Sequence, residues 1–375
     1  MHCQFICPAC GAHYPTNKPI WRCECGSFLD LDFMPALDRS RLPEEKNLWR
    51  YHQVLPLDDF QSAISFNEGF TPLVPMEFWG MPVLGKMDFL MPSGSFKDRG
   101  AAIMVNKCSE LGIKEIVEDS SGNSACSVAA YCARANIKAH IYMPAGNSAG
   151  KTVQVRAYGA ELHLIDGNRI DCANAALEGA KKSYYAAHAW NPFFLHGTKT
   201  VIYEIVEQMN WQAPDYYFAP VGSGSQILGV YIGLIEMKRA GIIDRIPKLM
   251  AVQSNKCSPL KNYAEGKPTP IYTHNPSIAE GIAIHKPIRL KQIVEAVQKT
   301  GGDFVTVDDA DIIEALKASS LQGVYIEPTS ASAVAALKQY AGHIRKNQKV
   351  VVSLTGSGLK SSAKIDILLK HMYNL

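Results

Sequence analysis

No stretch of eighteen or more apolar residues occurs in the chain, so the sequence offers no candidate for a membrane-spanning helix. The start, Met1-His2-Cys3-Gln4, lacks a basic stretch leading into an apolar segment, and no secretory leader is expected. Neither charge sign dominates: 38 Lys and Arg against 35 Asp and Glu leave +3. That is far from the basic excess that draws a whole protein onto phosphate backbones or anionic lipid, so neither nucleic acid nor membrane is an expected partner. Repeats and low-complexity tracts are also missing. With 47% hydrophobic and 19% charged residues, 28 Gly and 21 Pro, the chain has the balance of one that buries a large core. Its 375 residues predict two compact domains with room for a small appendage. A cytoplasmic, enzyme-sized protein is expected.

From about residue 70 onward, short β-branched runs alternate with helical patterns, which predicts an α/β fold with parallel strands covered by helices. The strands are expected at 115–117, 138–143, 161–165, 216–219, 248–253, 304–307 and 350–354. Helices are expected at 101–111, 127–135, 171–182, 200–208, 226–240, 290–300, 308–320 and 330–340.

The ten cysteines fall into two groups. Cys108, Cys126, Cys132, Cys172 and Cys257 lie scattered in apolar surroundings and read as small core residues. Cys3, Cys7, Cys10, Cys23 and Cys25 crowd the start. Cys7-Pro-Ala-Cys10 and Cys23-Glu-Cys25 are each followed by a glycine, Gly11 and Gly26, that lets a knuckle turn back. Two such knuckles can bring four sulfurs to one tetrahedral zinc. The single residue between Cys23 and Cys25 makes the second limb tight, and a degenerate ribbon folded without metal is the other reading. With four thiolate ligands no position stays open, so the role would be structural in either case. Cys3 reads as a bystander.

Pro92-Ser93-Gly94-Ser95-Phe96-Lys97-Asp98-Arg99-Gly100 stands at the entrance to a helix. A lysine near a helix N-terminus feels positive potential that lowers its pKa, as an amine destined for a Schiff base requires. A solvated surface lysine is the plain alternative. Val221-Gly222-Ser223-Gly224-Ser225-Gln226 follows an expected strand and opens a helix, so consecutive backbone N–H groups there make an anion site. It lacks the third glycine of a dinucleotide fingerprint, which disfavours nicotinamide cofactors.

Taken together, these segments resemble the fold-type-II family of pyridoxal-phosphate (PLP) enzymes and, within it, the threonine synthases, over essentially the whole chain. The resemblance implies two doubly wound parallel-sheet domains with a small N-terminal cysteine-rich ribbon. The expected division is a head at 1–35, a larger domain from 36–99 and 201–375, and a smaller mobile one at 100–200, with PLP in the cleft. By the same resemblance Lys97 carries the cofactor as a Schiff base. Asn123, in Ser120-Ser121-Gly122-Asn123-Ser124-Ala125, faces the ring hydroxyl. Gly222, Ser223, Gly224, Ser225 and Gln226 cup its phosphate, and Thr355, in Ser353-Leu354-Thr355-Gly356-Ser357-Gly358, meets the pyridine nitrogen. A neutral hydroxyl there cannot keep that nitrogen protonated, which favours elimination and replacement over transamination.

The resemblance extends to Asn191-Pro192 and Gly197-Thr198-Lys199-Thr200, similar to a segment that contacts substrate phosphate. It also covers Glu280-Gly281-Ile282, similar to a turn bordering the cofactor, and Glu327-Pro328-Thr329-Ser330, which opens the last large helix. Ser120, Ser121 and Asn191 are the implied substrate-binding residues, with Lys199 and Arg156 as candidate cations. Asn191 reads equally as a turn residue before Pro192, and Thr329 or Ser330 as helix caps. Three departures from the family pattern are Met91, the serines at 223 and 225, and Ser357.

The implied reaction is conversion of O-phospho-L-homoserine and water to L-threonine and phosphate, in a homodimer acting on a small phosphorylated amino acid. β-Replacement on O-phosphoserine, as in cysteate synthase, and deamination of serine or threonine use the same lysine. A zinc-ribbon interaction module on an inactive scaffold is a further alternative. Finally, Ala145-Gly146-Asn147-Ser148-Ala149-Gly150-Lys151-Thr152 satisfies the loose form of a P-loop. Against it, Ala145 replaces the opening glycine, and the thirteen residues between Thr152 and Asp166 look too few for a helix plus a returning strand. His140, His163, His188, His196 and His285 show no metal spacing along the chain.

Overall fold

The structure is a computed structural model that describes residues 3–120, 122–146, 148–167, 169–268 and 276–373. The chain forms two compact units, one from Met1–Phe70 with Lys97–Thr200 and one from Thr71–Phe96 with Val201–Leu375.

The first unit holds a four-stranded parallel sheet in the order Glu161–Ile165, Lys138–Pro144, Glu115–Asp119, Tyr184–Tyr185. Alternate side chains along a strand point to opposite faces. Ile116, Ala139, Ile141 and Met143 pack on the helices Lys97–Glu110 and Asn123–Ala135. Val117 and Tyr142 meet Ala176 and Leu177 of the helix Arg169–Gly179. Helices thus cover both faces, as the alternating pattern predicted.

The N-terminal ribbon is the antiparallel sheet His13–Pro15, Gln4–Ile6, Asp30–Asp32. It is not the separate head expected at 1–35. Phe5, Cys7, Cys23 and Leu29 share a core with Leu48, Leu55, Leu57, Ile103 and Phe193. Residues 36–70 likewise pack in the first unit, not with the larger one as expected. The reason is the polar face of the helix Lys97–Glu110, which stitches this connector down. Asn106 exchanges two hydrogen bonds with the Ile64 backbone, and Lys107 pairs with Asp58 at 2.9 Å.

The second unit is built on a six-stranded sheet in the order Asp303–Val307, Lys248–Ser254, Tyr216–Pro220, Val350–Ser353, Met81–Lys86, Leu73–Phe78. Five strands run parallel, and Leu73–Phe78 closes the edge antiparallel. This edge hairpin was not expected, because Pro75, Pro82 and Gly85 interrupt its apolar run. Pro75 lies on the edge strand and Pro82 before the residues that pair with Val350–Ser353, both places that tolerate proline, and Trp79-Gly80, both at positive φ, make the tight turn. Helices Asp309–Ser320 and Pro328–Tyr340 fill the core against Val252, Val305, Val350 and Val352.

Two expectations need correction. A nine-residue helix, Ala149–Ala157, fits between the strands Lys138–Pro144 and Glu161–Ile165, so the length objection to a P-loop does not hold. Asn147 of that motif lies outside the described residues. His140 and His163, unremarkable along the chain, meet across neighbouring strands at 3.4 Å.

Candidate active site

Lys97 is the first residue of the helix Lys97–Glu110, and its ammonium lies over the Phe194 ring, 5.6 Å from the centroid. The residues that follow explain why the motif needs its composition. Asp98, fully buried, accepts a hydrogen bond from Ser127, and the buried Arg99 donates to Thr200 Oγ1 at 3.1 Å. A Cβ at Gly100 would fall 2.3 Å from the Phe194 ring, and one at Gly197 would fall 2.1 Å from the Arg99 carbonyl oxygen. Two glycines therefore let the helix Pro192–Thr198 press against the start of the lysine helix, with Phe194 beneath Lys97.

In the same unit Ser120 leaves the strand Glu115–Asp119, and its backbone N–H donates to Tyr142 O at 3.1 Å. Its hydroxyl accepts from the Gly122 N–H at 3.2 Å, which shapes the turn into the helix Asn123–Ala135. Asn123 is the first residue of that helix. Lys151, only 3% exposed, packs on this turn: a Cβ at Gly122 would lie 2.7 Å from its Cδ. Ser121 lies outside the described residues.

In the second unit the glycine-rich segment runs from the strand Tyr216–Pro220 into the helix Ser225–Arg239. Gly224 has φ +83°, and a side chain there would strike Ile293 Cδ1 at 2.2 Å. At Gly222 a Cβ would be 2.7 Å from the Gly281 carbonyl oxygen, in the turn Glu280–Ile282 that Thr329 Oγ1 anchors by accepting the Gly281 N–H at 3.0 Å. Gly222 lets two backbones approach closely, and at Gly224 the positive φ is what favours glycine. The first N–H groups of the helix have no intrahelical acceptor, so the cradle presents donors to an anion. Gln226 Nε2 donates to Ser353 Oγ at 2.8 Å and ties the cradle to the strand Val350–Ser353.

Beyond that strand, Thr355 donates its backbone N–H to Ser330 Oγ at 2.8 Å and its carbonyl oxygen accepts from the Phe96 N–H at 2.9 Å. Ser95 bridges to Gly356, and Lys360 Nζ donates to Ser93 O at 2.6 Å. The segment leading to Lys97 is thus pinned along Thr355–Ser357. The Thr355 and Ser95 hydroxyls are buried without hydrogen-bond partners in the protein. Buried hydroxyls are normally satisfied, and these two, beside a cradle of donors, suit a polar, phosphorylated group such as PLP.

A pyridoxal-phosphate-dependent enzyme family model matches residues 64–356. The chain belongs to this family. Within it, the chain is similar to threonine synthases over most of its length. The chain is 34% identical to the threonine synthase of Methanocaldococcus jannaschii, over 94% of this chain and 92% of that one. Identity to the Synechocystis sp. threonine synthase is 35%, over 83% and 82%. Among solved structures, a fungal L-serine ammonia-lyase from Rhizomucor miehei superposes with a TM-score of 0.71 at 21% identity, covering 80% of this chain and 98% of that one, which shows the shared fold.

Against this family frame, several of the expected substrate contacts are occupied otherwise. Asn191 is the N-cap of Pro192–Thr198: its Oδ1 accepts the Phe193 N–H at 3.0 Å and its Nδ2 donates to the Tyr184 hydroxyl at 3.4 Å. Lys199 is fully buried, bonded to His196 Nδ1 at 3.0 Å and seated over Phe33. Arg156 is exposed on its helix. Lys151, which the sequence offers only within the P-loop-like segment, packs beside Gly122, which is remote from it in sequence. The lysine in an otherwise small-residue stretch, Ala149-Gly150-Lys151, was the available signal.

The four clustered cysteines are free thiols. Cys7 Sγ lies 3.6 Å from Cys25 Sγ and Cys10 Sγ 3.5 Å from Cys23 Sγ, with all four within 4.8 Å. Zinc bound tetrahedrally at about 2.3 Å holds its sulfurs about 3.7 Å apart. Gly11 and Gly26, at φ 75° and 86°, make the knuckle turns. The one-residue second limb still brings Cys23 and Cys25 into the same cluster as Cys7 and Cys10.

Proposed function

We propose that the protein is a threonine synthase, converting O-phospho-L-homoserine and water to L-threonine and phosphate with PLP as cofactor. The observation that carries this is the full-length match to threonine synthases, which extends over 94% of the chain.

Bound PLP would supply an electron sink for charge developing on the substrate's carbon chain, and the neutral Thr355 hydroxyl at its ring nitrogen would keep that sink weak enough to favour elimination and replacement. Lys97 is the residue that carries the cofactor, and Lys97 Nζ takes and returns protons between substrate carbons, with Phe194 closing one side against water. Asn123 would face the cofactor's ring hydroxyl. The backbone of Gly222, Ser223, Gly224, Ser225 and Gln226 would hold the cofactor phosphate, with Gly222 and Gly224 setting the shape of that loop. Ser120 and Ser121 donate neutral hydrogen bonds to the substrate's anionic groups. Lys151 supplies the positive charge there, in place of Lys199 and Arg156. Asn191 acts first as a helix cap.

Cys7, Cys10, Cys23 and Cys25 hold a structural zinc, supported by sulfur separations that suit one tetrahedral ion. A cytoplasmic location accords with ten free cysteines. The homodimer expected from the resemblance stays part of the proposal, and light scattering of the purified protein tests it. No helix among the described residues is long and apolar enough to cross a membrane.

The deciding experiment offers the PLP-loaded protein O-phospho-L-homoserine, O-phosphoserine, serine and threonine while phosphate, threonine and keto acid are followed. Threonine and phosphate in equal amounts from the first substrate are expected. Keto acid from serine or threonine as the main product would replace the synthase with a deaminase.

A further inference from the structure

One cluster in the first unit plays no part in the chemistry above. His140 lies on the strand Lys138–Pro144 and pairs in register with Glu161 of the next strand, on which His163 follows two residues later. Side-chain alternation puts all three on one face of the sheet. His140 Nδ1 stands 3.4 Å from His163 Nε2 and 3.5 Å from Glu161 Oε2, and His163 Nε2 stands 3.4 Å from Glu161 Oε1. The two carboxylate distances run to different oxygens of Glu161, so each imidazole nitrogen faces one oxygen of the same half-exposed carboxylate, and one ligand atom from each of the three residues lies within 4.8 Å of the others. A tetrahedral zinc bound at about 2.0–2.1 Å by nitrogen and oxygen holds its ligand atoms about 3.3–3.4 Å apart.

The surroundings match as well. The other nitrogen of His140, Nε2, lies 3.2 Å from Glu115 Oε1, a carboxylate–histidine pairing that fixes the tautomer and turns Nδ1 toward an ion. Ser183 holds Glu115 in place through its hydroxyl at 3.2 Å. The His163 ring stacks on Tyr142 at 4.4 Å. The side chains of His140, His163 and Glu161 are 16%, 30% and 48% exposed, so an ion can reach them from solvent. The Lys138 ammonium bridges Glu115 at 3.3 Å and Glu161 at 3.1 Å, on a side chain that is 55% exposed and can turn outward.

We propose that His140, His163 and Glu161 form a second metal site, taking a divalent transition ion of the zinc class with its fourth position open to water. Lys138 is the cation that stands in for it in the metal-free protein. The site sits toward the N-terminal ends of the strands, whereas the loop Ser120–Asn123 leaves the C-terminal end of Glu115–Asp119, about 13 Å along the strand from Glu115. The ion therefore cross-links two strands and does not act on substrate. Because it binds only the folded sheet, it raises the melting temperature of the protein.

The test is dialysis of the PLP-loaded protein against micromolar zinc chloride, followed by elemental analysis. The unchanged chain is expected to hold one more zinc than the His163→Gln or Glu161→Gln chains, a difference independent of what the thiols hold. Lys138→Met is expected to retain that extra ion. Equal zinc in the unchanged and His163→Gln chains would overturn the site. A readout that needs no variant is labelling with diethyl pyrocarbonate mapped by mass spectrometry. Zinc is expected to shield His140 and His163 while the exposed His343 reacts as before. Equal labelling of the pair with and without zinc would also overturn it.

Discussion

Replacing Lys86 with methionine removes an ammonium from the interior of the second unit while nearly preserving volume. Lys86 and Glu204 are paired at 2.7 Å with neither side chain exposed. The ammonium also donates to Thr71 O at 2.7 Å and Gln208 Oε1 at 2.9 Å. Thr71 O would keep a donor, since Gln208 Nε2 reaches it at 2.9 Å. The main loss therefore falls on the buried Glu204 carboxylate, which loses the Lys86 ammonium at 2.7 Å. Breaking a buried pair by removing one partner costs about 3–5 kcal/mol. For a unit of roughly 150–250 residues each kcal/mol is about 2–4 °C, so melting should fall by roughly 6–20 °C. The double change Lys86→Met with Glu204→Leu should recover most of that, because desolvation offsets much of the pair's attraction. The cofactor spectrum should survive, because Lys86 holds Leu354, next to Thr355, through its backbone carbonyl at 3.0 Å. Calorimetry of the PLP-loaded chains measures the melting shifts, and absorption spectroscopy the cofactor. A single change within about 0.5 kcal/mol of the unchanged chain, the usual range of a surface substitution, would refute the reasoning. So would a double variant as unstable as the sum of the two single ones.

Three other outcomes are expected. Gly222→Ala forces a methyl against the Gly281 carbonyl oxygen, a strain of about 1–3 kcal/mol that should weaken PLP binding by roughly fivefold to a hundredfold in a fluorescence titration. Gly146→Ala, with nothing within 4 Å, is the silent control. Elemental analysis of gently purified protein should find zinc, and Cys10→Ser should lose it. Because Phe5 and Cys23 share a core with Ile103 and Phe193, that loss should lower the melting of the whole first unit. Asn191→Ala should cost about 0.5–2 kcal/mol as a lost cap and reduce turnover of phosphorylated and unphosphorylated substrates alike. A loss confined to phosphorylated substrate would restore Asn191 to the phosphate site.

Local signals carried much of the fold. The β-branched runs mark the strands Glu161–Ile165 and Tyr216–Pro220, and the apolar face of Thr200–Gln208 is legible from spacing alone. Prolines concealed the hairpin Leu73–Phe78 and Met81–Lys86, since Pro75 lies on the edge strand and Pro82 lies before the residues that pair with Val350–Ser353, where a ladder donor can be spared. Asn191-Pro192 carries a helix-start signal, a side-chain cap followed by proline at the first position, in the same segment that resembles a substrate contact.

Within the site, the glycine cup and the lysine motif are contiguous in sequence and were therefore readable. Pairings set by tertiary approach were not. Phe194 beneath Lys97 depends on two glycines in different helices. Lys151 beside Gly122 depends on how one helix lies on another. His140 and His163 meet only because the strand register aligns Tyr142 with His163 and His140 with Glu161.

The central claim is that Lys97 carries the cofactor. Borohydride reduction of the PLP-loaded protein, followed by digestion and mass spectrometry, tests it most directly. The account expects a single reduced cofactor adduct, on the peptide containing Lys97. An adduct on Lys151 or any other lysine, or none at all, would contradict it.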